Sequence, residues 1–257
     1  MNKDLITLDD WFCANTLILN VGKSNYMLFT NNKNYTKAHT IQIGENIIER
    51  KACVKYLGLH IDEKINWSSH INVCKSKISS SIYAIKRIKN LVPKTYLRTL
   101  YFTLIHPFLT YGIPLWGATY DTHRKKLLIL QKRVIRIISR ANYHSHTNPL
   151  FKHLRILKLD DIYKLQVAKI IFKYKQNGLP NPIQSLFATN YDAHNRNTRQ
   201  SHNLRVQNPR TTLATQNISS KGPQIWNALP PDIKLLVSGT IYRFTSHLTD
   251  HMLQQYI

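Results

Sequence analysis

At Ser68 the spacing of apolar residues changes from every second position to every third or fourth, and this change limits what the chain can become. Before it, short β-prone runs follow one another: TLILN (16–20), NYMLFT (25–30) beyond the turn VGKS, HTIQIG (39–44), IIERK (47–51) and CVKYLGLHI (53–61). Their hairpin-sized connections imply antiparallel pairing. Ahead of them, Leu5, Leu8, Trp11 and Phe12 recur at helical spacing with Asp4, Asp9 and Asp10 opposite, which predicts an amphipathic helix over 3–14. After Ser68, the positions Ile71, Cys74, Ile78, Ile82 and Ile85 draw one apolar stripe, and the pair Ser68 and Ser69 offers an N-cap. A second helix opens at Pro93 and closes near Pro107. A third covers 121–140, with Leu127, Leu130, Val134, Ile137 and Ile138 inward. Helical signals resume over 148–177, with Asp160 and Asp161 in a first turn and Gly178 and Pro180 as terminators. From Ala193 to Pro231 the periodicity dissolves, which predicts loop or partial disorder, and a short helix over Thr240–Leu253 follows. The fold class is therefore α+β.

Charge narrows the partners. Lys and Arg number 36 against 13 acids, a formal net charge of +23, and such an imbalance opposes compaction unless a polyanion takes up the field. Nucleic acid is the first expectation; a ribosomal or mitochondrial protein, or a fragment whose basicity reflects codon bias, is the bland alternative. In the 121–140 helix, Lys125, Lys132, Arg136 and Arg140 fall on the face opposite the apolar one, with no acid after Asp121. A solvated face and a phosphate-tracking surface both fit that stripe. In the acid-free stretch, Arg196, Arg199, Arg205, Arg210 and Lys221 lie among Asn, Gln, Ser and Thr, a composition suited to backbone contact with nucleic acid.

Other classes are excluded on chemistry. Cys13, Cys53 and Cys74 are odd in number and form no C-x-x-C, which fits a reducing, nuclear or cytoplasmic compartment and not a zinc site. His144 and His146 have no nearby cysteine or carboxylate to complete a metal shell. MNKDLITLDDWF lacks the apolar region of a secretory leader. The uncharged run Thr99–Tyr120 has the length of a membrane span, but its prolines, glycines and threonines point to a buried helix that breaks at His106-Pro107.

Six words occur in one order: WFCANTLILNVGKSNYMLF, VKYLGLHIDEKINWSSHI, LIHPFLTYGIPLWG, LQKRVIRIISR, HTNPLFKHLRILKLDDIYKLQ and SSKGPQIWNALP. In that order they resemble the reverse transcriptases of non-LTR retrotransposons of the jockey and CR1 group, over nearly the whole chain. The resemblance implies a remnant of the antiparallel palm sheet over 1–67, a helical thumb and connector over 68–190, and a basic, loop-rich C-terminal segment over 191–257. It makes Tyr56, Leu57 and Gly58 the turn of the primer grip, which holds the 3′ end of a primer. Gly58 would let the backbone come close to the strand. Packing of palm against thumb is the other reading of Tyr56, Leu57 and Trp67. Lys23, in NVGKSNYMLF, matches a lysine near the incoming nucleotide, where it would contact phosphate or donate a proton to the leaving pyrophosphate. A surface lysine in a turn is the plain alternative. The implied partners are an RNA template and a DNA primer, with no membrane.

Polymerases of this kind hold two Mg2+ ions on palm carboxylates, including an aromatic-x-Asp-Asp hairpin. Asp9–Asp10 and Asp160–Asp161 are the two Asp-Asp pairs of this chain, and both fall in helical patterns instead of a strand-turn-strand. Asp62 is the remaining weak candidate. The expectation is thus a truncated polymerase with no cofactor of its own, binding template–primer without extending it unless a catalytic half acts in trans. A non-enzymatic nucleic-acid-binding protein and an inert translated remnant are the alternatives.

Overall fold

The computed structural model describes residues 2–30 and 40–256. They fall into two compact units, 1–70 and 71–257. His39, where the expected HTIQIG strand begins, lies outside the described residues.

The first unit opens with α1 (Asn2–Ala14), the predicted amphipathic helix. No strand forms over 16–20; the chain runs irregularly into a 3-10 turn, Val21–Lys23. Strands β1 (Asn25–Tyr26), β2 (Ile41–Ile43) and β3 (Asn46–Arg50) form a three-stranded sheet with β3 central. β2 and β3 pair antiparallel around a two-residue turn in which Gly44 takes φ 58°. β1 instead runs parallel to β3, pairing Asn25 with Glu49 and Tyr26 with Arg50. This departs from the all-antiparallel expectation, which assumed that sequence neighbours pair; β1 reaches its partner through a longer connection. β4 (Cys53–Tyr56) and β5 (Leu59–Asp62) make a separate antiparallel hairpin. Helix α2 (Ser68–Ile88) begins at the end of this unit, so Ser68 and Ser69 lie inside its first turn, and Asn66 Oδ1 accepts from Ser68 N at 2.9 Å.

The second unit is mainly helical. The predicted stripe on α2 is buried at all five positions, Ile71, Cys74, Ile78, Ile82 and Ile85, and burial pushes the Cys74 thiol up to about 11. The uncharged run 99–120 breaks as expected, into α3 (Lys94–Leu104), α4 (His106–Thr110) and α5 (Ile113–Trp116). Then come α6 (Asp121–Ser139), α7 (Asn148–His153) and α8 (Leu159–Lys175). α6 buries Ile135 where Ile137 was expected; Ile137 is only half-buried. Short helices α9 (Asn181–Gln184) and α10 (Asn190–His194) lead into irregular backbone over 195–210.

The expected loop ends there. α11 (Thr212–Thr215), α12 (Ile218–Asn227), α13 (Pro231–Leu235) and α14 (Ile241–Gln254) close the chain. α12 carries Pro223 in its interior, where the missing N–H leaves a gap in the helical ladder, so packing holds this helix more than its backbone bonds do. Gly222 lets it lie against α8: a Cβ there would stand 3.0 Å from Ile171 Cδ1 and 3.1 Å from Phe187. α8 is the hub, packed by α4, α5, α6, α12 and α14, with Phe172, Phe244 and Trp226 in one aromatic stack. Buried Gln131 joins α6 to its surroundings by donating to Tyr101 Oη and Leu157 O and accepting from Leu159 N. Among the described residues no helix is long and apolar enough to cross a membrane.

Candidate nucleic-acid interface

The β4–β5 hairpin turns on two residues, Leu57 at φ 46° and Gly58 at φ 83°, and a right-twisted hairpin favours such a pair of positive angles. Glycine takes this conformation freely and Leu57 does not, so the turn is strained at a side chain it also displays. Tyr56 and Leu57 are 63% and 73% exposed. Trp67 is buried, which accords with a packing role. Behind the hairpin, Asp62 fixes the segment that enters α2: Oδ1 accepts from Lys64 N (3.2 Å) and Asn66 N (3.1 Å), Oδ2 from Trp67 N (2.8 Å). These bonds hold Ile65 and Trp67, both non-glycine residues at positive φ, in place. A carboxylate so engaged is a loop clamp.

The other carboxylates also have structural work. Asp160 accepts from Arg124 at 2.6 Å, and Asp161 accepts from Tyr256 Oη at 2.6 Å and from Lys164 at 3.2 Å. Asp9 lies on α1 against Gly44, where a Cβ would come within 2.9 Å of its oxygen. Among the described residues no group of three His, Cys, Asp or Glu side chains could hold a metal ion. Lys23 is exposed in its 3-10 turn, and Asn20 Oδ1 accepts from its backbone N–H.

The cation stripe on α6 divides in two. Lys125 is exposed and Lys132 half-exposed, whereas half-buried Arg136 and exposed Arg140 both donate to carbonyls of the chain's own loops. Arg136 Nε donates to Ser145 O at 3.0 Å and its guanidinium lies 5.9 Å from the Tyr143 ring. Arg140, in left-handed conformation at the helix end, donates to Lys89 O (2.9 Å) and Val92 O (3.1 Å). The cations α6 turns outward are Lys125, Lys126 and Arg133. Sequence reading passed over the last two because it ran its stripe slightly to one side.

A further basic face was missed on α2. This helix has no acid, and Lys75, Ser79, Tyr83 and Lys86 stand on one exposed side at helical spacing, with Arg87 beside them; Lys77 lies on the far side of the helix, its ammonium 5.3 Å from the Phe108 ring. Arg87 stacks 5.9 Å from the Tyr83 ring, which is 63% exposed. Among the described residues none of these four cations has an ion pair. From Lys75 to Lys86 the helix rises about 16 Å, the length of about five base-pair steps. The signal was available: counting the polar side of the stripe Ile71–Ile85 would have exposed it.

No protein-family model and no solved structure matches the chain. It is 25% identical over 154 residues to the RNA-directed DNA polymerase from mobile element jockey of Drosophila melanogaster, covering 58% of this chain and 16% of that protein. It is 22% identical over 155 residues to the probable RNA-directed DNA polymerase from transposon X-element of the same organism, covering 59% and 17%. It is 22% identical over 165 residues to the probable RNA-directed DNA polymerase from transposon BS, also of D. melanogaster, covering 63% and 18%. The chain thus covers less than a fifth of the length of these curated relatives.

Proposed function

Taking as premise its sequence kinship with the RNA-directed DNA polymerases of non-LTR retrotransposons, we propose that this chain grips the template–primer duplex of such an enzyme. One observation carries the reading: the acid-free, outward face of α2, where Lys75, Lys86 and Arg87 flank an exposed tyrosine. Ammonium and guanidinium groups unpaired with acids are free to replace counterions on phosphates, and a tyrosine between them can pack on sugar or base. The hairpin offers Tyr56 and Leu57 as an exposed apolar tip for a primer end, and Lys125, Lys126 and Arg133 on α6 add a second basic face. The RNA template and DNA primer are the two strands we assign to these elements, each unit taken by itself.

Metal-carried chemistry is not proposed for these residues, because Asp62, Asp160 and Asp161 already serve the fold. Phosphoryl transfer would come from other palm residues, in the same polypeptide or in trans, that bind the Mg2+ ions.

The test is a titration of an RNA–DNA hybrid at several salt concentrations. The expected log–log slope is several units, and the triple change K75E/K86E/R87E lowers affinity at least tenfold while helicity is retained. An unaltered affinity would return the α2 face to ordinary solvent exposure. With Mg2+ and nucleotides, this chain alone gives no primer extension; templated product would refute the division of labour.

A further inference from the structure

Two loops of the second unit are gathered at the C-terminal end of α6 by arginines one helical turn apart. Residues spaced i, i+4 lie on one side of a helix, about 5–6 Å from each other, so Arg136 and Arg140 act on neighbouring ground. Arg140 donates to Lys89 O and Val92 O, which ties down the chain as it leaves α2 just past Lys86 and Arg87. Arg136 donates to Ser145 O in the loop between α6 and α7, and Ser145 N closes the same loop by donating to Asn142 O at 3.1 Å. The basic end of the α2 face therefore adjoins the α6–α7 loop. Neither stretch brings a carboxylate: the sequence has no Asp or Glu from Lys64 to Tyr120, nor from Thr122 to Leu159.

Tyr143 stands in that loop with its side chain 77% exposed. The Arg136 guanidinium lies 5.9 Å from its ring centroid, and the His144 ring meets it edge to face at 5.2 Å. With three quarters of the side chain in water, these two neighbours leave most of the ring free. The phenol takes part in none of the bonds that brace the loop, so an aromatic surface is held in place there without serving the bracing. A flat ring beside a guanidinium, in acid-free surroundings, is what a nucleobase stacks on. Inside a duplex each base face is covered by its neighbours, and only an unpaired nucleotide offers one freely. We propose that Tyr143 is a stacking platform for an unpaired nucleotide continuing from the duplex held on α2, with Lys86 and Arg87 on the phosphates where that strand leaves the helix. Stacking reads the face of a base and not its edge, so the platform tolerates sequence. The inference rests on the nucleic-acid reading above and names what the surface takes beyond the duplex, a single-stranded extension.

The experiment measures fluorescence anisotropy of labelled RNA–DNA hybrids against the full chain. All share one duplex: the first is blunt, the second has a short unpaired overhang, and the third has an abasic overhang with the same phosphates. The overhang is placed on the RNA strand and, in a second set, on the DNA strand. On at least one strand the overhang with bases is expected to bind about tenfold tighter than its abasic counterpart, the scale of one base on an aromatic ring. Tyr143→Ala should erase that difference and leave the blunt hybrid's affinity as it was, at equal helicity, whereas Tyr143→Phe keeps it. Equal affinity for base-bearing and abasic overhangs on both strands overturns the platform while the duplex grip stands. So does a difference that survives Tyr143→Ala, or an equal fall for blunt and overhung hybrids in that variant. Failure of every hybrid to bind at low salt overturns both readings.

Discussion

The two units bury their apolar residues differently. In residues 71–257 the large side chains Trp116, Tyr101, Phe151, Phe172 and Phe244 are wholly inaccessible. In residues 1–70 the best-buried ones, Ile43, Ile48, Leu59 and Trp67, all keep some exposure, and Ile6, Trp11, Leu17, Ile18, Phe29 and Ile47 stand largely in solvent. One unit is therefore held by close-packed apolar volume, the other by strand ladders, a clamped loop and a thin apolar layer. Large contiguous apolar exposure marks an interaction surface or an aggregation hazard, so the first unit is the part of the molecule whose behaviour depends most on what surrounds it.

The largest effect that would break this contrast lies in the helical hub. Phe172 has no exposure and its ring centroid lies 4.8 Å from that of Phe244. Phe172→Ala should cost about 3–5 kcal/mol in urea unfolding followed by circular dichroism, by lost transfer energy and the cavity left behind. A loss below about 1 kcal/mol would mean the site collapses freely, and the unit is not close-packed in the sense claimed.

A smaller and more local effect is expected at Asp62. Asp62→Ala strips acceptors from the backbone N–H groups of Lys64, Asn66 and Trp67, and each group left buried and unpaired costs about 1–3 kcal/mol, less where water can reach it. Hydrogen exchange should quicken at those three amides and in the β4–β5 hairpin, while α6 and α8 keep their protection. Faster exchange throughout α8 would show that the two regions do not differ in what holds them.

Much of the second unit was legible because burial there follows helical period: the α2 stripe and the break at His106-Pro107 could be read directly. α12 was not. Its Ser-Ser-Lys-Gly-Pro run reads as a loop by local preference, yet packing of Gly222 on Ile171 and burial of Trp226 override that preference. In the first unit TLILN reads as a strand by composition, but a strand needs a partner ladder, and none pairs with it among the described residues. For the candidate interface, resemblance singled out Tyr56, Leu57 and Gly58, and spacing singled out the α6 cations. Sequence could not tell a free cation from one spent on a carbonyl, since the acceptors of Arg140, Lys89 O and Val92 O, are about fifty residues away in the chain.

The smallest effect on stability sharpens the contrast from the other side. Ile18 is 97% exposed, so Ile18→Lys removes no packed contact and should change the unfolding free energy by no more than about 0.5 kcal/mol. Its effect should fall on association: a charge next to exposed Leu17, in a unit with several exposed apolar side chains, makes self-association less favourable. Light scattering at rising concentration should therefore show less aggregate for the variant than for the parent chain, at equal helicity. A clear loss of stability would mean that Ile18 is packed in solution, and the first unit has a core its burial pattern does not reveal.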